Sequence, residues 1–274
     1  MRSVFVNLKG RMGNQFFQYW AGRWVAEQLG AMLKIHLNEP LQLDPALFPN
    51  IVIEVEQAPG RFINNPANGQ YNAYHLGQDN RFIQMVDLDA IVKAEMGLSR
   101  PVFLDFHFEN YTQMRPREAF IRNLFQRSPN HPLKPSRSMV VHLRIGDLES
   151  NAHAFQADYI AFARGILART SEVDEVVVLC EHQHPLLDEM SATLSSLHPK
   201  VVIESKDYQS DWDRIASASV IVMTNSTFSW WPAFLNPFEP KVHVFVSDKQ
   251  GLSFRGETLF ADSPDSWSLS TKLK

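Results

Sequence analysis

The most constraining feature of this sequence is an alternation in its second half. Five short apolar, β-branched runs, 139–145 (MVVHLRI), 175–181 (EVVVLCE), 201–205 (VVIES), 220–224 (VIVMT) and 242–247 (VHVFVS), alternate with segments of helical spacing. Near-continuous apolar strands fit a sheet covered on both faces. In 156–170, Tyr159, Ile160, Phe162, Ala163, Ile166 and Leu167 recur at three- and four-residue steps, and 185–197 and 209–218 also read as helices. This pattern predicts a doubly wound parallel α/β domain. Right-handed crossovers put the C-terminal strand ends on one edge, where such sheets bind ligands.

The first half is less regular. Residues 3–8 and 32–37 read as strands around a helix over 14–29, whose Phe16, Phe17, Trp20, Ala21, Trp24, Val25 and Leu29 share a face. Residues 57–80 are polar and loop-like; a helix near 87–97, a strand at 102–108 and a helix near 116–126 follow. Residues 127–138 (RSPNHPLKPSRS), with three Pro, three Ser and no apolar periodicity, read as a linker. The expected architecture is α/β, with two α/β domains, 1–130 and 136–274, facing across a cleft.

Composition narrows the function classes. Of 274 residues, 45% are apolar, enough for a real core, and 20% are charged. The 26 basic and 30 acidic side chains leave a net charge of −4, without the basic excess expected of a nucleic-acid or anionic-membrane binder. A single cysteine, Cys180, excludes a disulfide framework and a multi-Cys zinc site. The N-terminus turns polar within six residues, and no run approaches the ~20 apolar residues of a membrane span. A phosphate-binding GxxxxGK[ST] and a GxGxxG are both absent.

Three polar constellations fall at predicted strand ends. GRMGNQFFQY (10–19) places Gly10 and Gly13 in a turn and Asn14 at the helix start, as a natural N-cap. By spacing alone, a plain strand–turn–helix is the simpler explanation. VVHLRIGDL (140–148) puts His142 and Arg144 on one face at a strand end, with Asp147 just beyond. A buried Arg needs an anion, either Asp147 or another carboxylate in a structural pair, or a phosphate held in bidentate fashion. His142 alone reads more simply as a core histidine. TNSTFSWWPAFLNP (224–237) offers Asn225, Ser226 and Thr227 at a helix start, which binds phosphate without any Lys. An ordinary capped helix over a Trp230–Trp231 core is the alternative. Together, the last two would neutralise a diphosphate without a metal, as a metal-independent nucleotide-sugar transferase requires.

On these residues the chain resembles the α-1,2-fucosyltransferases of glycosyltransferase family 11. GRMGNQFFQYWA is similar to their GGLGNQ[ML]FQYA, 142–147 (HLRIGD) to HxRRGD, and 225–231 reproduces NSTFSWW, in the same order across about residues 4–238. The resemblance implies a GT-B fold of two Rossmann-like domains, GDP-β-L-fucose as donor, no metal or other cofactor, and inverting transfer to the 2-hydroxyl of a terminal galactoside. It implies that Arg144 holds the diphosphate, with Ser226 and Thr227 assisting, and that Asn14 lies near the fucose and acceptor. Two departures stand out: Ile145 replaces the second Arg of HxRRGD, and the strand ending VLCEHQHP puts Glu181 or His182 where an FSDD-like end meets the nucleoside.

Asp147, His142, His107 and Glu109 are all candidates for the general base, with none singled out. The site set is therefore Arg144, Asn14 and Asp147 for catalysis, and His142, Arg144, Asn225, Ser226, Thr227 and Glu181 for the donor. The expected partners are GDP-fucose and a galactoside glycan, with no nucleic acid and no transmembrane segment. Because animal members of the family are Golgi-anchored, the expectation is a cytoplasmic bacterial or viral form. Another nucleotide sugar on the same fold, or a non-catalytic glycan binder, are the competing classes. Oligomeric state stays open.

Overall fold

The computed structural model describes residues 2–56, 72–75, 87–105, 108–109, 111–144, 152–181, 184–204, 206–224, 226–245, 264 and 266–270. The chain divides into two compact units, Met1–Pro132 and Leu133–Lys274, with the division inside the Pro-rich 127–138 segment.

In the first unit the chain forms β1 (Ser3–Leu8), α1 (Met12–Gln28), β2 (Met32–Leu37), β3 (Asn72–His75), α2 (Leu88–Glu95), β4 (Val102–Asp105), α3 (Tyr111–Met114), a 3₁₀ turn (Arg115–Arg117) and α4 (Glu118–Leu124). The sheet is parallel, in the order β2-β1-β4-β3. Strand alternation gives β1 two different faces. Val6 faces α1, which approaches so closely that a Cβ on Gly22 would lie 2.9 Å from the Val6 Cβ. On the other face Phe5 stacks on Phe103 of β4 at 5.0 Å.

Several sequence expectations change here. The helix expected from residue 14 starts at Met12, because its first N–H is capped from outside: Met12 donates to Gln42 Oε1 at 2.6 Å, and Gln42 N–H donates back to Gln15 Oε1 at 2.8 Å. The polar stretch 57–80 contains the strand β3, which its composition does not announce. The helix expected near 116–126 begins as α4 at Glu118, after the 3₁₀ turn that holds Pro116, whose missing N–H suits a helix start better than its interior.

The second unit comprises β5 (Ser136–Leu143), α5 (Ala152–Leu167), β6 (Glu175–Cys180), α6 (Pro185–Ser195), β7 (Val201–Glu204), α7 (Tyr208–Ser217), β8 (Ala218–Met223), α8 (Thr227–Leu235), β9 (Lys241–Phe245) and β10 (Ser268–Ser270), the last not expected from the sequence. The parallel sheet runs β7-β6-β5-β8-β9-β10. From β5 the chain winds outward through β6 and β7, then returns to β8 and winds the other way. Met139, Val141, Leu143, Val176 and Val178 pack against Tyr159, Phe162 and Met190 from α5 and α6. The intervening His142 faces oppositely, with its ring 5.7 Å from Phe228 of α8. Both faces are therefore covered, as the apolar runs require.

Candidate functional site

Strand order reverses between β5 and β8, the position at which a doubly wound sheet opens a crevice. β5 continues to α5 on one face and β8 to α8 on the other, so their connections diverge. His142 is in register with Met223, and Leu143 with Cys180. Arg144, half-buried, is the first residue past β5; exposed Glu181 is the first past β6; Thr224 and Ser226 follow β8. Three adjacent strands thus deliver His142, Arg144, Glu181, Ser226 and Thr227 to one edge.

α8 begins at Thr227, with Ser226 as its N-cap at φ −137° and ψ 117°. The Ser226 side chain makes no capping bond to the helix, while its carbonyl accepts from Trp230 N–H at 3.0 Å and Ser229 Oγ at 3.3 Å. First-turn N–H groups have no intrahelical acceptor and carry the positive end of the helix dipole, which suits an anion. Trp230 and Trp231 are fully buried beneath this turn, so the core assignment for that pair holds.

Two residues at this edge escaped the sequence reading. Tyr159, counted there only as a core position of α5, sends its hydroxyl to the carbonyls of His142 at 2.9 Å and Val222 at 3.1 Å. One proton shared between those carbonyls ties β5 to β8 where the chain divides. Complete burial pushes the Tyr159 hydroxyl well above the usual phenol range, so it remains a donor. Thr224 is also buried, and its Oγ1 makes no hydrogen bond to any described residue. No local periodicity distinguishes either residue from ordinary packing.

Asn14 is not the N-cap of α1; Arg11 occupies that position, and Asn14 N–H donates to the Arg11 carbonyl at 2.9 Å. The early start of the helix puts Asn14 in its first turn. Its amide lies over Gly10, where φ is +76° and an added Cβ would fall 2.5 Å from Asn14 Nδ2. Gly10 is therefore required both for the turn and for the placement of Asn14. Asp147, Asn225, Ile145, His107 and His182 lie outside the described residues. Glu109 is buried.

The first sheet has a polar edge of its own. Asn7 Nδ2 donates to Asp105 Oδ1 at 2.8 Å, and Lys9 Nζ reaches the same oxygen at 2.7 Å. Asn38 Nδ2 donates to Asn7 Oδ1 at 2.9 Å, and Lys9 N–H donates to Gln18 Oε1 at 2.9 Å. Among the described residues no group of three or more His, Cys, Asp or Glu could hold a metal ion. No helix among them is long and apolar enough to cross a membrane.

No protein-family model matches the chain, and no curated protein matches it. Solved structures share its fold. A mutant of Arabidopsis thaliana FUT1 in complex with GDP superposes with a TM-score of 0.55 at 11% identity, covering 87% of this chain and 69% of that one. The fucosyltransferase NodZ from Bradyrhizobium gives 0.54 at 16% identity, covering 86% and 94%. The E. coli heptosyltransferase WaaC with ADP gives 0.50 at 12% identity, covering 99% and 93%. At these identities the likeness is one of fold: an α/β chain with parallel sheets, of a kind also found in glycosyltransferases.

Proposed function

We propose that this chain is a metal-independent glycosyltransferase that moves L-fucose from GDP-β-L-fucose to the 2-hydroxyl of a terminal β-galactoside, with inversion. The observation that carries this is the placement of Arg144 and the start of α8 on the two strands that flank the switch point. A cation and a helix N-terminus converging there suit a diphosphate. The three sequence motifs support fucose and the 2-hydroxyl. The donor belongs to the second unit and the acceptor to the first, the division of labour of GT-B enzymes. FUT1 was solved with GDP, and a NodZ structure soaked with GDP-fucose supports the same donor class. That NodZ is an α-1,6-fucosyltransferase, so the 2-hydroxyl rests on the motifs alone.

In the reaction, the bond from the anomeric carbon to the diphosphate oxygen breaks as the acceptor hydroxyl attacks from the opposite side. Negative charge grows on GDP, and Arg144 with the α8 N–H groups stabilises it. Preorganised donors of this kind often contribute the largest catalytic effect. Ser226 and Thr227 add hydroxyl donors, and Asn14 serves the sugar and acceptor. Asp147, His142, His107 and Glu109 remain the base candidates.

Mass-spectrometric screening of GDP-fucose against lactose, N-acetyllactosamine and galactosyl-β-1,3-hexosamine tests the activity. A fucosylated product is expected; GDP-fucose left intact with every acceptor would refute it. A second donor is favoured by one observation, namely that β6 ends at Cys180 and is followed by Glu181 rather than by paired aspartates. Titration calorimetry with GDP, UDP, dTDP and ADP separates these, and GDP should bind most tightly.

A further inference from the structure

Helices α7 and α8 pack side by side, and each starts at the C-terminal edge of the second sheet. Tyr208 is the first residue of α7, and Phe228 is the second of α8. Their ring centroids are 6.2 Å apart, and Phe228 lies 5.7 Å from the His142 ring near the end of β5. An aromatic line therefore runs from the switch point, where Arg144 follows β5, out to Tyr208.

The outer end of this line faces solvent. Tyr208 is 50% exposed, whereas Trp212, one turn further along α7, is buried and meets Phe228 edge-on at 6.2 Å. Trp212 thus packs α7 against α8, and half of the Tyr208 surface is surplus to that contact. The Tyr208 ring is tilted by 59° to Phe228, and no ring among the described residues stacks flat on it. Two other large apolar side chains of the second unit are exposed. Leu197 follows the end of α6, at the opposite edge of the sheet, and Ile203 lies within the edge strand β7. Among the described residues of that unit, Tyr208 is the exposed large apolar side chain at the edge where parallel α/β sheets bind ligands.

The two helix starts differ in charge. Asp207 caps α7, with Oδ1 accepting from Ser210 N–H and Oδ2 from Ser210 Oγ, each at 2.8 Å, and Asp211 adds a second carboxylate to the first turn. These carboxylates repel phosphate from α7. At α8 the Ser226 side chain makes no capping bond and no acidic residue stands in the first turn. An anion therefore belongs at α8 and an uncharged flat group at Tyr208. A nucleoside diphosphate joins those two parts in one molecule.

We infer that Tyr208, braced by Phe228, is the stacking platform for the nucleobase of the donor. Its identity as guanine rests on the proposed fucosyl transfer; stacking of a base does not, because every base presents a π-face.

Titration calorimetry of wild type, Tyr208→Ala and Tyr208→Phe with GDP, UDP, dTDP and ADP tests this. Loss of a stacked ring should weaken GDP binding roughly tenfold or more in Tyr208→Ala, while Tyr208→Phe, which keeps the ring, should stay within about twofold. Saturation-transfer NMR should show the base proton signal falling relative to the ribose signals in Tyr208→Ala. A nucleotide that wild type binds and Tyr208→Ala loses upholds the platform even if no fucose is transferred, in which case the proposed function alone fails. Fucose transfer with unchanged GDP affinity in Tyr208→Ala overturns the inference alone. So does an equal loss in Tyr208→Phe, which would assign the effect to the hydroxyl. Absence of binding of all four nucleotides to wild type overturns it as well. Should Tyr208→Ala melt far below wild type, Tyr208→Leu, which keeps apolar bulk without a ring, is read by the same criteria.

Discussion

The C-terminal edges of the two sheets solve the same problem differently. Both end parallel strands in polar residues. In the first unit these residues bond to one another, with Asn38, Asn7, Asp105 and Lys9 forming a connected network. In the second, the N-terminus of α8 is left uncapped by its own Ser226, beside a strand that ends at Arg144. A helix start whose own Ser226 side chain makes no capping bond, beside an Arg, suits a multiply charged anion. Edge geometry is shared by the two units, while charge and capping differ between them.

The sharpest challenge to this contrast is Arg144→Ala. Loss of a charge-stabilising donor should reduce turnover roughly 10²-fold or more and weaken GDP binding in calorimetry. Near-normal kinetics would remove the anion assignment from the second edge. Gly10→Ala probes the first edge. The left-handed φ and the displaced Asn14 amide should cost about 1–2 kcal/mol, seen in chemical denaturation, and activity should fall further than stability explains. Equal activity would separate Asn14 from the chemistry.

Tyr159→Phe asks whether the two strands at the switch point need their shared hydroxyl. The lost bond should lower stability by about 0.5–1.5 kcal/mol. GDP affinity should drop while acceptor binding is unchanged, and an unaltered GDP titration would make the bridge purely structural. Smallest is an acid effect away from either edge site. Lys200 holds the Glu175 carboxyl below its ordinary range, and Arg214 does the same for Glu204. Both groups bind protons more readily unfolded, so their stabilisation is present above the usual carboxylate range and lost as pH falls through the lowered values. Arg214→Gln should lower the neutral plateau of a melting-temperature profile slightly and flatten its acid limb, because the stabilisation it removes is present only above the lowered values.

Legibility differed between the units for physical reasons. The second sheet has strands apolar on both faces, and its β-branched runs mark them in the sequence within a few residues. β3, by contrast, is NAYH inside a polar stretch, and β10 is SLS; both are strands because a neighbour offers a pairing edge. Arg144, Ser226 and Thr227 were expected at strand ends and lie there, because motif and strand end coincide in the sequence. The Asn7–Asp105 contact was not legible, since FLDF has no unusual composition.

The sequence by itself determined the alternation of elements, the strand ends that carry polar motifs, the Pro-rich division of the chain, and the Gly10 turn. Each follows from local geometry or from periodicity along a few residues. Tertiary structure decided which strands are neighbours. β1 and β4 bring Asn7 to Asp105 across 98 residues, and α5 carries Tyr159 to carbonyls on two strands, one of them 63 residues away. It also moved the start of α1, through a Gln42 cap that lies 30 residues from the N–H it satisfies. Hydrogen bonds and ion pairs of this kind depend on distance in space, which a linear pattern does not record.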